Sequence, residues 1–227
     1  FIKLNEKIST KTSIFLDAQI RTLNYSIKGT IKGPEIFKVN DSFTFLNPKA
    51  GITFNLNYLN NLYFSYANAK REPNRSDYKN GNPVSETLND FEFGWKYINN
   101  NINIKANLYW MQYFNQLVLT GAIDDVGLPI RENVGNSRRV GLEIDSSINL
   151  NKSLSWIFNF SLSSNKNLDY FFERDGILQS LGKTNLSFSP NLISASQLNY
   201  KISKNLNFIL LSKYVSKQYM GNIDSKL

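Results

Sequence analysis

Ile102-Asn103-Ile104-Lys105-Ala106-Asn107-Leu108-Tyr109-Trp110 sets Ile102, Ile104, Ala106, Leu108 and Trp110 on one side of an extended chain, and Asn103, Lys105 and Asn107 on the other. A period of two marks a strand with one greasy and one wet face. The pattern recurs. Ile52, Phe54, Leu56 and Tyr58 alternate with Gly51, Thr53, Asn55 and Asn57, and Phe91, Phe93, Trp95 and Tyr97 alternate with Glu92, Gly94 and Lys96. Val140, Leu142 and Ile144 oppose Gly141, Glu143 and Asp145. Trp156, Phe158, Phe160 and Leu162 oppose Asn159, Ser161 and Ser163, and Leu16, Ala18 and Ile20 oppose Asp17, Gln19 and Arg21. The fold class is all-β.

Alternation fits a sheet packed on a protein core and a sheet facing lipid equally well. Connection lengths separate the two. Very short polar turns at 60–61, 99–101, 151–153 and 203–205 alternate strictly with long polar excursions at 29–41, 71–86, 116–137 and 165–183. Short turns at one end and long loops at the other describe an antiparallel up-and-down transmembrane β-barrel. The strands are ~12 to 15 residues long, where globular strands average ~5 to 6 and a tilted membrane strand needs ~9 to 11. In hydrocarbon an unpaired backbone edge is too costly to leave open, so such a sheet must close. Roughly nine full strands and a partial one at 1–6 are visible, whereas bacterial barrels use an even number. The chain starts inside a strand and stops at Ser225, Lys226 and Leu227 in a polar stretch. It is therefore expected to be one unit, a segment of a barrel that does not close alone.

Composition agrees. Aromatic residues make up 14% of the 227 residues while mean hydropathy is −0.33, so apolar groups are dispersed among polar ones. No run approaches the ~18 to 20 apolar residues of a spanning helix, and neither end carries a signal peptide. The absence of Cys removes disulfides and thiolate chemistry, and the absence of His removes the usual acid/base group and zinc ligand. No catalytic residue, metal site or cofactor is expected. Net charge is +8, from 26 Lys and Arg against 18 Asp and Glu. No basic stripe marks one face, which argues against nucleic acid. Tyr58, Tyr63, Tyr97 and Tyr200 lie beside the short turns, where an aromatic girdle would meet the headgroups.

Several strings go further. Asn47-Pro48-Lys49-Ala50-Gly51 opens a strand, Arg71-Glu72-Pro73-Asn74-Arg75-Ser76-Asp77-Tyr78 begins a long loop, and Leu88-Asn89-Asp90-Phe91-Glu92 leads into the next strand. Gln116-Leu117-Val118-Leu119-Thr120-Gly121, Arg131-Glu132-Asn133-Val134-Gly135-Asn136-Ser137-Arg138, Gly141-Leu142-Glu143-Ile144 and Lys213-Tyr214-Val215-Ser216-Lys217-Gln218-Tyr219 follow. In order and spacing the series resembles the C-terminal part of the barrel of TonB-dependent outer-membrane receptors of the Bacteroidetes type, over nearly the whole chain. The resemblance implies a barrel of about 22 strands, monomeric when complete, of which residues 1–227 supply nine or ten, with no plug domain. It further implies a bacterial outer-membrane location among lipid and lipopolysaccharide, and a TonB complex reached through the missing N-terminal part. The cargo implied is a scarce nutrient, foremost a ferric siderophore or other iron complex.

Candidate ligand-binding residues are Arg71, Glu72, Arg75, Asp77, Tyr78, Arg131 and Glu132, where strands meet long loops. Guanidinium offers a planar fork suited to carboxylate or phosphate, so Arg71, Arg75 and Arg131 could line a cationic funnel. They could instead pair with Glu72, Asp77 and Glu132 to brace the loops. The inward carboxylates Glu92, Glu143 and Asp145, near Lys96 and Lys105, read as wall charges and not as an acid/base set. Two other functions bear weighing: an outer-membrane barrel enzyme, which lacks its catalytic His here, and a soluble all-β binding module.

Overall fold

The computed structural model describes residues 1–30, 36–79, 81–123, 127, 129–133, 135–174 and 177–223. Val134 and the polar stretch from Ser225 lie outside them. In chain order the elements are β1 (Ile2–Lys7), β2 (Thr12–Thr30), β3 (Ile36–Asn55), β4 (Asn60–Arg71), α1 (Arg75–Lys79), β5 (Glu86–Ile98), β6 (Ile102–Phe114), β7 (Leu117–Ile123), β8 (Pro129–Asn133), β9 (Ser137–Asn149), β10 (Leu154–Arg174), β11 (Ile177–Asn185), β12 (Leu192–Lys201) and β13 (Asn207–Val215). They build an antiparallel wall ordered β1-β2-β3-β4-β5-β6-β9-β10-β12-β13, with β11 on the end of β10 and β7-β8 as a separate hairpin. The path is open from β1 to β13, so the sheet is an arc of a barrel, as expected.

Register carries the alternation across the wall. Leu16, Ala50, Tyr66, Phe91, Trp110 and Val140 lie directly opposite one another from β2 to β9, one residue away from the row Phe15, Gly51, Ser65, Glu92, Tyr109 and Gly141. The first row belongs to the apolar, outer face and the second to the polar, inner one. Among the described residues nothing packs on this part of the outer face: Leu16, Phe64, Leu108 and Trp110 are each about half exposed.

The short turns share one construction. The side-chain oxygen of Ser9, Asn57, Asn99, Asn151 or Ser203 accepts the backbone N–H two residues ahead, at 2.8–3.3 Å. A polar side chain thereby replaces the backbone acceptor that a tight turn lacks. On the inner face three glycines receive aromatic rings from the neighbouring strand. A Cβ on Gly51, Gly94 or Gly141 would stand 2.3, 1.9 or 2.5 Å from Phe15, Tyr63 or Tyr109. Tyr63 crosses β5 at Gly94 and donates to Asn107 Oδ1 on β6 at 2.9 Å, so one ring links three strands.

The long excursions differ from expectation. Most are strand: β2 and β3 run on to Thr30 and from Ile36, 116–137 contains the β7-β8 hairpin, and 165–183 is largely β10 and β11. Among the described residues, only 71–86 holds a helix. The reason is solvent. On the outer face of β2 and β3, apolar residues give way at Thr22 and Thr44 to a polar ladder in which Ser42 donates to Asn24 at 3.0 Å and Ser26 to Asn40 at 2.8 Å. The ribbon keeps its backbone pairing, but its apolar residues change faces: Leu23, Tyr25 and Ile27 on β2 and Phe37, Val39 and Phe43 on β3 take the inner parity, so the outward greasy pattern stops there. On β3 the apolar alternation occupies 46–54, matching the ~9 to 11 residues of a tilted membrane strand. Pro48 lies inside β3, not at its start. The β3-β4 ladder ends at Lys49 opposite Ala67, beside a residue with no N–H to give, and Asn47 Oδ1 accepts the Lys70 N–H at 3.0 Å instead.

The aromatic girdle also needs correcting. Tyr97 and Tyr200 are on the outer face, Tyr58 is in a turn, but Tyr63 points inward over Gly94. A second aromatic row stands at the opposite end: Tyr66, Phe91 and Trp110, with ring centroids 4.9 and 5.7 Å apart.

Candidate functional site

Parity decides which loop-end residues look inward. Arg71 on β4, Glu86 on β5, Tyr113 on β6 and Arg139 on β9 share the inner parity of Tyr109 and Glu92, and all stand where the wall ends and the long excursions begin. With Arg131 from β8 they line a cavity of about 320 Å³, completed by Gln116, Leu117, Val118, Leu186, Ser187 and Phe188. Three guanidinium groups thus face one carboxylate. Glu86 Oε2 serves two partners, accepting from Arg71 at 3.1 Å and from the Leu117 N–H at 3.0 Å. Arg139 lies 5.1 Å over the Tyr113 ring, and its Nε is buried without a partner. A desolvated donor aimed at no acceptor is costly unless something supplies one. The arrangement suits an anion with planar oxygen pairs next to aromatic surface.

The cavity is roofed by a small packed cap. Val118, Tyr170 and Leu186 are buried together, with Leu181 and Ile223 against them. Asn222, fully buried, accepts the Ser187 N–H at 2.9 Å, and the Phe188 N–H donates to the Tyr219 carbonyl at 2.8 Å. Phe188 has φ 51°, a left-handed conformation strained for a bulky residue. At the foot of the β7-β8 hairpin Asn115 and Gly135 have φ 52° and 73°, and Asn133 ties the hairpin to Val84 at 2.9 and 3.0 Å.

Five of the seven residues singled out in the sequence divide between two places, and the other two are exposed. Arg71 and Arg131 meet in the cavity. Glu72, Asp77 and Tyr78 belong to a strap that crosses the inner face of the β2-β3 ribbon. Glu72 pairs with Arg21 on β2, and Asp77 accepts the Asn74 N–H at 2.8 Å. Tyr78 stacks on Tyr25 with ring centroids 5.5 Å apart and donates to the Asp41 carboxylate. Burial first, and then that hydrogen bond, raise its phenol well above the ordinary tyrosine value. Arg75 opens α1 and is exposed; Glu132 is exposed on β8. The bracing pairs expected for Arg71 and Glu72 are therefore exchanged: Arg71 takes Glu86 and Glu72 takes Arg21. Sequence reading overlooked Arg139, Glu86 and Tyr113, although inward parity counted from Glu143 reaches Arg139 and counted from Glu92 reaches Glu86. Phe188 carries no comparable sign.

No group of three or more acidic, His or Cys side chains that could hold a metal occurs among the described residues. On the inner wall Lys96 stands opposite Lys105, and Lys105 opposite Asp145.

Residues 5–226 match the family described as TonB dependent receptor-like, beta-barrel. No curated protein matches the sequence. Among solved structures the chain is similar to the ferric yersiniabactin uptake receptor FyuA from Yersinia pestis, with TM-score 0.73 and 13% identity over 97% of this chain and 34% of that one. It is similar to the ferric-catecholate import receptor Fiu from E. coli K12, with TM-score 0.65 and 15% identity over 93% and 33%. The copper transporter OprC aligns with TM-score 0.69 and 16% identity over 94% and 34%. The chain spans about a third of the length of these proteins.

Proposed function

The chain belongs to the TonB-dependent receptor β-barrel family, whose members are receptors and transporters and not enzymes, and on that premise we propose that it supplies barrel wall and part of the cargo site of a receptor for high-affinity uptake of a ferric siderophore or other anionic iron complex. The complete receptor then holds a plug domain encoded outside residues 1–227, works as a monomer, and draws energy from a TonB complex reached through its N-terminal part. The observation that carries the reading is the basic cavity. Arg71, Arg131 and Arg139 converge on the inner face at the outer end of the wall, with Glu86 as the one carboxylate. Cargo arriving from outside meets that face first, and a net positive, partly desolvated pocket raises the local concentration of an anion.

Deleting the gene for the complete receptor tests the reading. Growth on scarce iron and accumulation of radiolabelled iron from an anionic ferric chelate should both collapse, while uptake of a neutral ferric chelate through other routes persists. Unchanged growth and accumulation would remove iron chelates from consideration. Neutralising Arg139 with Gln should weaken capture of the anionic chelate by roughly tenfold or more, the loss of one charge-assisted hydrogen bond.

A further inference from the structure

One carboxylate stands among the arginines of the cavity, and it is largely withdrawn from water. Glu86 lies directly opposite Arg71 in the β4-β5 ladder, and its Oε2 alone accepts both the guanidinium at 3.1 Å and the Leu117 N–H at 3.0 Å. Its side chain is 14% exposed, against 48% for Arg71. A charge so placed is screened little and acts on whatever else enters the cavity. Among the described residues Arg131 and Arg139 form no ion pair, and the buried Nε of Arg139 has no acceptor. Asp90, the next carboxylate on the inner side of β5, lies two inward positions deeper and does not line the cavity.

Three guanidinium groups against one carboxylate leave the lining with two net positive charges. For an anion entering such a cavity two energies compete. Attraction to the lining grows in proportion to the anion's charge, whereas the cost of taking that charge out of water grows as its square. Together they favour one cargo charge, and the favoured charge rises with the net charge of the lining. The volume of about 320 Å³ falls at the lower end of the ~300 to 1,000 Å³ of small-molecule sites. The charge to be matched is therefore that of a compact chelate and not of a single ion.

Resting on the reading of this cavity as a cargo site, we propose that Glu86 is a specificity-determining residue that sets the charge of the cargo: with it the lining takes a dianionic iron chelate, and without its charge the same lining takes a trianionic one. The charge of Glu86 can be removed without its hydrogen bonds. In Glu86→Gln the amide oxygen still accepts from Arg71 and from the Leu117 N–H. The β7-β8 hairpin thus stays anchored while one negative charge leaves the lining.

The test uses the complete receptor in detergent and one series of tripodal ferric chelates. Each catecholate arm exchanged for a hydroxamate arm removes one negative charge from the same skeleton, so the series runs from trianionic, with three catecholates, to neutral, with three hydroxamates. Affinity is read from radiolabelled iron retained on the purified receptor. The wild type should bind the dianion most tightly. Glu86→Gln should leave the neutral chelate unchanged and tighten the others by roughly tenfold for each negative charge they carry, which makes the trianion the tightest. The control Glu132→Gln alters an exposed carboxylate outside the lining and should move no chelate by more than about threefold. A heat-resistant electrophoretic band shows that each variant folds. An equal gain for all four chelates, no gain or a loss overturns the proposal, as does a wild type that prefers any chelate but the dianion. Arg139→Gln distinguishes that failure from failure of the cargo reading. Weaker binding of the anionic chelates upholds the cargo cavity whatever Glu86 does, and if neither variant alters any chelate, the cavity is no cargo site and the proposal falls with it.

Discussion

Leu108 and Leu186 are both leucines in or beside a strand, yet the first is 51% exposed and the second 2%. Among the described residues no cluster of buried apolar side chains lies in the wall around Leu108. Its apolar groups face outward, its inner face is polar, and its cohesion comes from ladders, turns and rings seated on glycines. The cap around Leu186 is built as a soluble domain is, with Val118, Tyr170 and Leu186 turned toward one another and away from water. The same chain thus obeys two rules of burial, one along the long sheet and one where the separate β7-β8 hairpin meets β10. Each rule names its solvent: hydrocarbon outside the wall, water around the cap.

The largest expected effect is in the cap. Leu186→Ala removes a fully buried side chain and should cost about 3 kcal/mol locally. Because the cap is joined to the wall mainly through β10 and the foot of the hairpin, it should open as a separate unit. Hydrogen exchange of the complete receptor should show the Val118 and Ser187 amides losing protection while β4 to β6 keep theirs. Uniform loss over both regions would mean that wall and cap share one core.

The second test reverses the first. Leu108→Arg places a charge on a half-exposed position, which on a water-facing surface would change stability by less than about 0.5 kcal/mol. On a lipid-facing one it should cost about 2 kcal/mol. Urea unfolding of the complete receptor in lipid vesicles measures the difference, and a change below about 0.5 kcal/mol would place water where lipid is inferred.

The wall was legible in the sequence because lipid enforces alternation on every strand it touches. Segments such as 102–110, 91–97 and 140–145 could be assigned face by face. The short turns were legible because Asn and Ser cap them through their own side chains. The outer ribbons were not: beyond Thr22 and Thr44 the apolar residues Leu23, Tyr25, Ile27, Phe43, Val39 and Phe37 pass to the inner parity, so the lipid-facing pattern ends although the strands go on. The cap was hidden for a related reason, since Val118, Tyr170, Leu186 and Asn222 are far apart in sequence and follow no common period. The basic cavity was half visible. Arg71 and Arg131 could be named from their position at loop ends, while Arg139 needed parity and Glu86 needed the β4-β5 register, in which it stands opposite Arg71.

A smaller effect tests how the wall coheres without a core. Gly94→Ala would put a Cβ 1.9 Å from Tyr63 Cε1, and the ring must swing away from its bond to Asn107. Overpacking of this kind costs about 1 to 3 kcal/mol. In a Tyr63→Ala background the same substitution should be nearly neutral, because the two residues act as one joint. The double-mutant cycle is read by the same urea unfolding, and a full cost for Gly94→Ala without Tyr63 would assign the glycine to backbone strain instead.

The smallest effect concerns the strap on the β2-β3 ribbon, which belongs with the cap: polar outside, buried beneath. Tyr78 is held neutral by burial and by its hydrogen bond to Asp41, so its phenol loses a proton at higher pH when the strap is docked than the ordinary value of 10.0 for a free tyrosine. The detached strap therefore gives up its proton first. Docking is at full strength below pH 10 and weakens progressively as pH rises from there towards the raised value of the docked phenol. Tyr78→Phe removes the hydrogen bond, at a cost of about 1 kcal/mol, and removes the titration with it. Limited proteolysis near α1 between neutral pH and pH 11 should accelerate with alkalinity in the wild type. In the Phe variant cleavage should start faster and then stay level. If both proteins respond alike to alkali, the strap is held by Glu72 and Arg21 and not by the tyrosine.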